Sequence, residues 1–253
     1  MKRFTLLNII IIGLICGMAR EAIPCRPLKT EDSGTTPYGK TALELSIDSP
    51  NWESNDMEHE FCSVVNYGLS DSLDAGFEMP FVRINPVNGE LEKGLGDIVL
   101  RMKYRIINET DAYPAFLIKP TFKIPSGDEE KGLGSGKSDA GILLVLSKSF
   151  GNFSGYLNAG YNMLDLPKDK FWSDNTAFIG LGFSQPVNER VTLLGELTYE
   201  PNFNSRRSDD PFDMVWGVNY NLSQTAMLDF ALRSGLTDAS QDYSVISGIT
   251  LNF

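Results

Sequence analysis

Residues 243–253, YSVISGITLNF, alternate in character with a period of two. Tyr243, Val245, Ile249, Leu251 and Phe253 fall on one face, and Ser244, Gly248, Thr250 and Asn252 on the other. Successive side chains of a strand point to opposite sides of a sheet, so this segment reads as a strand with one greasy and one polar face.

The same period recurs upstream. MLDFALR sets Leu228, Phe230 and Leu232 against Asp229 and Arg233, and MVWGVNY sets Met214, Trp216, Val218 and Tyr220 against Gly217 and Asn219. VTLLGELTYE and DIVLRMKYR repeat the pattern, with Glu196, Glu200, Arg101, Lys103 and Arg105 on their polar faces. From Thr41 to the end there are about twelve such segments, separated by turn residues. They lie near 41–48, 59–68, 73–84, 96–107, 113–124, 139–149, 153–164, 175–185, 190–201, 212–221, 225–234 and 243–253. Short turns (69–72, 108–112, 150–152, 185–189, 221–225) alternate with longer polar loops (49–58, 85–95, 125–138, 165–174, 202–211, 235–242).

Two architectures produce such strands. A soluble sandwich or lipocalin-like barrel hides its apolar face, whereas a transmembrane barrel turns that face to lipid and its polar face to the lumen. The second fits better. The polar faces are heavily charged, the apolar faces nearly free of charge, and short and long connections alternate. The chain also ends on an aromatic, Phe253, resembling the insertion signal read by the outer-membrane barrel-assembly machinery. An even strand count places both termini on the periplasmic side, and the barrel must close because an open sheet edge cannot be satisfied in lipid. The expected fold is an all-β, closed, antiparallel transmembrane β-barrel of about twelve strands.

Composition agrees. The 253 residues carry 22 Lys+Arg against 33 Asp+Glu, a net charge of -11, which argues against nucleic acid as a partner. Lys2 and Arg3, an apolar run from Leu6 to Ile15 and the small residues of Gly17-Met18-Ala19 read as a signal peptide over 1–19, cleaved after Ala19. Neither Cys16 nor Cys25 has a good lipoprotein box before it. Residues 20–40 are polar, rich in Pro and Thr, and show no period, so they form a tail outside the main fold. The barrel itself is 41–253.

KGLGSGKSDAG (131–141) ends a glycine-rich run in Gly-Lys-Ser. A phosphate-binding loop needs its first glycine at 131, which is Lys131, and a following helix, where AGILLVLSK reads as a strand. No nucleotide partner is expected. The run is the tip of a long hairpin loop, with glycine where positive φ is needed.

Strand parity directs Arg101, Lys103, Arg105, Lys119 and Lys123 inward from two adjacent strands. Glu44, Glu60, Glu78, Glu196, Glu200 and Asp229 point inward from the others. Opposed ladders of charge either set a transverse field across an aqueous lumen or pair with one another and fill it. Tyr67, Tyr104, Tyr161, Tyr199, Trp216, Tyr220, Tyr243 and Phe253 read as interfacial girdle residues; of the aromatics only Tyr156 and Phe178 point inward. The loop acids Asp128, Glu129, Glu130, Asp209 and Asp210 are either a solvated surface or a divalent-ion bridge to lipopolysaccharide.

The one histidine, His59, sits in MEHEFC beside Glu58, Glu60 and Cys62. Alternation aims His59 and Glu60 to opposite faces, so no metal site is assigned, and no cofactor. No serine stands within two residues of it to form a hydrolase pair. Cys25 and Cys62 are a candidate disulfide. The residues between Cys25 and Thr41 reach about 50 Å if extended, so this bond requires the tail to thread the lumen. Two unpaired thiols are the other reading.

GLGDIVLRMKYRI (94–106), FLIKPTFKIPSGD (116–128), GLGSGKSD (132–139) and GYLNAGYN (155–162) together resemble the outer-membrane family labelled "putative MetA-pathway of phenol degradation", whose members are also described as transporters. The resemblance implies an outer-membrane channel in contact with lipid and lipopolysaccharide. The reading it supports is diffusion of small polar or aromatic solutes through a charge-lined lumen. The alternative is an occluded barrel that works through its loops.

Overall fold

The structure, a computed structural model, describes residues 27–51, 57–85, 90–166, 175–203 and 210–253. Thirteen strands follow in order: β1 (Thr41–Asn51), β2 (Met57–Ser70), β3 (Leu73–Asn85), β4 (Glu92–Leu95), β5 (Ile98–Ile107), β6 (Ala115–Ile124), β7 (Ser138–Phe150), β8 (Phe153–Leu166), β9 (Thr176–Pro186), β10 (Val191–Tyr199), β11 (Phe212–Asn221), β12 (Ala226–Gly235) and β13 (Tyr243–Asn252). Among the described residues there is no helix.

All pairings are antiparallel, and β13 returns to β1 from Ala42↔Asn252 to Asn51↔Tyr243. With β2 on both β1 and β3, the sheet closes into a twelve-strand barrel plus one extra strand. Closure leaves no edge in the wall. The seam is tied at its end by two reciprocal bonds, Thr41 N–H to Phe253 O at 3.2 Å and Phe253 N–H to Thr41 O at 2.9 Å.

The expected segments are all strands, with ends shifted by a few residues. The extra strand is the difference. The 85–95 stretch, read as loop, contains β4, which lies on Phe81–Ile84 of β3. The other half of β3, Leu73–Glu78, holds β5. β4 and β5 are thus one wall position interrupted at Gly96–Asp97, where Gly96 N–H donates to Pro80 O at 2.9 Å. The β5–β6 ladder also misses rungs between Arg101↔Thr121 and Tyr104↔Ile118. Pro120 sits there and has no N–H to donate.

Burial is inverted relative to a soluble domain. Ile47, Phe61, Leu100, Ile142, Leu181, Trp216 and Leu232 are exposed on the outside, while Glu196, Asp213, Asn158 and Ser244 are buried inside. A polar inner face and an apolar outer face suit lipid outside and water within. The described connections at one end are short; Gly151, at φ 65°, opens a two-residue turn between β7 and β8. At the other end the 125–137 connection is long. Its glycines Gly132 and Gly136 take φ of 70° and 68°, as expected for the loop tip, and no helix follows.

Candidate functional site

The polar lumen is the candidate site, and residues 27–40 run through it around the inner wall. Pro27 lies against Gly217 of β11, and Leu28 packs on Val215, Ala231 and Ile246 of β11, β12 and β13. Lys29 N–H and Thr30 N–H donate to the Glu196 carboxylate of β10 at 2.9 and 2.8 Å, and Thr30 Oγ1 adds a third bond at 2.8 Å. The Thr30 side chain rests where Gly180 and Gly182 of β9 have no Cβ. Asn158 of β8 takes Glu31 N–H at 2.7 Å and returns a bond to Glu31 O at 2.9 Å. Ser33 N–H reaches Ser147 of β7, Thr36 N–H reaches Asp74 of β3, and Gly39 N–H reaches Gly68 O of β2. The segment therefore makes almost a full circuit of the barrel before entering β1.

The inward charges sort around this segment. Lys103 and Lys119 hold the Glu31 carboxylate at 3.1 and 2.5 Å. Arg105 donates to Ser33 O at 3.2 Å and to Asp71 O. On the far wall Lys29 Nζ lies 2.5 Å from Glu200 and 3.6 Å from Asp213. The segment is thus anionic toward the basic strands β5 and β6 and cationic toward the acidic strands β10 and β11. Arg101 pairs within the wall, 3.6 Å from both Glu44 and Glu78, with Asn66 bonded to both Arg101 and Glu44. Lys123 pairs with Asp97 and Asp139. Asp229 is buried in register with Asn219 and Gly248. Arg233, which the ladder reading left out, holds Asp48 at 2.8 Å.

A cavity of about 350 Å³ remains beside residues 27–37. Its wall comes from β1, β2, β3, β5, β6, β12 and β13, including Glu44, Glu60, Cys62, Glu78, Arg101, Lys103 and Lys119. No residue of β7 to β11 lines it, because the N-terminal segment covers much of that wall. Among the described residues, Glu60, Cys62 and Glu78 bring three potential ligand atoms within 4.8 Å of one another. His59 is not in that group; its Nδ1 is 3.0 Å from Ser49 Oγ. Cys62 is buried and faces the cavity, while Cys25 and the signal segment lie outside the described residues.

The 125–137 loop is folded back rather than splayed. Asp97 accepts from Gly127 N–H and Ser135 N–H, both at 3.0 Å, and from Ser135 Oγ, while Leu133 is buried near Gly94, Gly96 and Val82. Asp128 pairs with Lys131, and Asp210 accepts from Tyr199 OH and Asn202 N–H, so two of the loop acids serve their own loops. Asp209 lies outside the described residues.

Of the charges that parity directs inward, Glu44, Glu60, Glu78, Arg101, Lys103 and Lys119 line the cavity; parity gave no sign of Thr30, Glu31, Asn158, Ser147 or the glycines. Gly180 and Gly182 carried a signal: two glycines on the polar face of one strand leave room for something to lie against it. Lys29 and Glu31, of opposite sign and two apart, matched the opposed charges of the two walls.

A closed antiparallel barrel, apolar outside and polar within, is a membrane-spanning barrel of the outer-membrane type. Residues 26–253 match the family described as "Putative MetA-pathway of phenol degradation", and the chain belongs to that family. Its fold is similar to that of the COG4313 outer membrane channel from Pseudomonas putida F1, at 14% identity and a TM-score of 0.68 over 89% of this chain and 100% of that one. The NanC porin is similar at 13% identity and a TM-score of 0.58, covering 83% of this chain and 98% of that one. The KdgM porin, solved with disordered oligogalacturonate, is similar at 8% identity and 0.58, over 84% and 99%. No curated protein matches the chain.

Proposed function

We propose that this protein is an outer-membrane channel that passes small polar or aromatic solutes by diffusion through a charge-lined lumen, with its own segment 27–40 as the constriction. The observation that carries this reading is the polar cavity of about 350 Å³ between that segment and the wall, with Arg101, Lys103, Lys119, Glu44 and Glu78 on its lining. The cavity is within the ordinary size for small-molecule sites. The family membership and the channel fold of the similar structures agree with it.

In this reading residues 1–19 are the export signal, both termini face the periplasm, and the 125–137 loop lies at the outer surface among the lipopolysaccharide. Phe253 closes the seam and is the assembly signal. Cys25 stands two residues before Pro27, within about 7 Å of chain. Pro27 and Cys62 both line the cavity. A Cys25–Cys62 disulfide, formed in the oxidising envelope, would fasten the segment's start.

Single-channel recording of the mature protein in a planar bilayer tests the channel. Steady conductance that turns toward cation selectivity when Arg101 and Lys103 both become Glu supports it. A folded barrel that stays silent supports the second reading, an occluded barrel acting through its loops, which the extensive bonding of segment 27–40 favours.

A further inference from the structure

We infer that the Lys103–Lys119 pair is a binding site for the carboxylate of a small organic acid, and that Glu31 occupies it as a built-in competitor. This inference rests on the channel reading and names the solute class that the lumen takes.

Lys103 and Lys119 stand opposite each other on β5 and β6, in the gap between the rungs Arg101↔Thr121 and Tyr104↔Ile118. Like charges directly across two strands repel. An anion held by both removes the conflict, and the chain supplies one: the two Glu31 oxygens each face one ammonium, at 3.1 and 2.5 Å. Both lysine side chains are largely buried, which strengthens the ammonium–carboxylate contact. The neighbouring basic residue of β5 is differently served, since Arg101 is matched by the wall acids Glu44 and Glu78. Lys103 and Lys119 are matched instead by acids on a segment that is not part of the wall: Glu31 between them, and Asp32 3.9 Å from Lys103.

The same three side chains line the cavity of about 350 Å³. A solute carboxylate entering that space reaches the lysine pair, while Asn158 holds the Glu31 backbone in place. Exchange of one carboxylate for another leaves the charge of the site unchanged. It also releases Glu31, and with it one attachment of the segment that narrows the lumen. An aromatic or short aliphatic monocarboxylate fits this space and this charge; a neutral amide of the same shape lacks the charge.

The test uses the full mature chain, with benzoate as the probe and benzamide as its neutral control. Single-channel current is recorded for the wild type and for Glu31→Gln. The expected result is a shift of the KCl reversal potential toward anions in Glu31→Gln, with benzoate modulating the current at concentrations at least tenfold lower than in the wild type. Benzamide changes neither, and Lys103→Gln with Lys119→Gln in the Glu31→Gln background abolishes the benzoate effect. Equal responses to benzoate and benzamide, or a benzoate response that survives loss of both lysines, overturns the inference. Line broadening of benzoate by each detergent-solubilised protein gives a second readout. If no variant conducts, the channel reading fails, and the lysine site is then judged by whether broadening is present with the lysine pair and lost without it. Should Glu31→Gln not give a heat-modifiable barrel, Glu31→Ser is read the same way.

Discussion

Glu196→Ala cuts a three-bond attachment of the N-terminal segment without touching the segment itself. In the wild type this carboxylate, 3% exposed, accepts Lys29 N–H, Thr30 N–H and Thr30 Oγ1 within 2.9 Å. A hydrogen bond to a charged group contributes about 1.5–3 kcal/mol. The three share one acceptor and water from the cavity replaces part of each, so a combined loss of about 3 kcal/mol is expected. At about 1.4 kcal/mol per decade, that raises the undocked fraction about 100-fold. The segment carries its own reporter: trypsin cuts after Lys29 only once the residues on either side leave the wall. When opening is fast relative to cleavage, the rate follows the open population. Cleavage after Lys29 in the detergent-solubilised barrel, followed by mass spectrometry, is therefore expected to accelerate about 100-fold. Glu196→Gln, which keeps one acceptor oxygen, falls between the two. A change of less than about threefold, with the barrel still heat-modifiable, refutes the assignment of Glu196 as the anchor.

Gly180→Ala places a methyl 2.5 Å from Thr30 Cγ2 and 3.0 Å from the Phe178 ring, so it too is expected to speed cleavage after Lys29 while the heat-modifiable band persists. In the turn after β5, burial works against the charge of Glu109, but Ser149 N–H and Oγ and the Lys148 ammonium outweigh it and hold the carboxyl below its ordinary value of 4.5. A depressed pKa gives stability that is full above 4.5 and lost as pH falls through the lowered value. Amide protection at Ser149 should therefore stay constant from neutral pH to 4.5 and fall only below it, and Glu109→Gln should remove that dependence. Asp97→Ala removes the bonds from Gly127 and Ser135, so exchange at those two amides is expected to rise at least tenfold by hydrogen–deuterium mass spectrometry while β5 stays protected. For the proposed disulfide, maleimide should label neither Cys25 nor Cys62 in denatured, unreduced protein and both after reduction; full labelling without reductant removes the bond from the picture.

The barrel was legible because each spanning strand must satisfy two solvents at once, and that forces a period of two over about ten residues. YSVISGITLNF and MLDFALR show it openly. β4 was not legible: Glu92–Leu95 is four residues long, and the interruption of the strand at Gly96–Asp97 hides its continuity with β5. The inward charges followed from parity alone, since a charge on the lipid side costs about 2–4 kcal/mol at mid-depth. Their partners did not. Residues 27–40 have no period, because a segment lying on an inner wall is not constrained to alternate. Its contacts with Glu196 and Asn158 span 127 to 167 residues of sequence, and such pairings leave no local pattern. The charge complement of Lys29 and Glu31 to the two walls and the paired glycines Gly180 and Gly182 were the traces available.

The seam between β1 and β13 bears on the order of assembly. Residues 27–40 run directly into β1, and their partners are distributed over strands from β2 to β13. Those partners face one common interior only once the ring exists. A chain stalled with its first and last strands apart cannot gather Asp74, Asn158 and Glu196 around a single segment. Seating of the segment is accordingly a late event that reports completion: a protease that finds Lys29 sheltered has met a barrel whose seam is already shut.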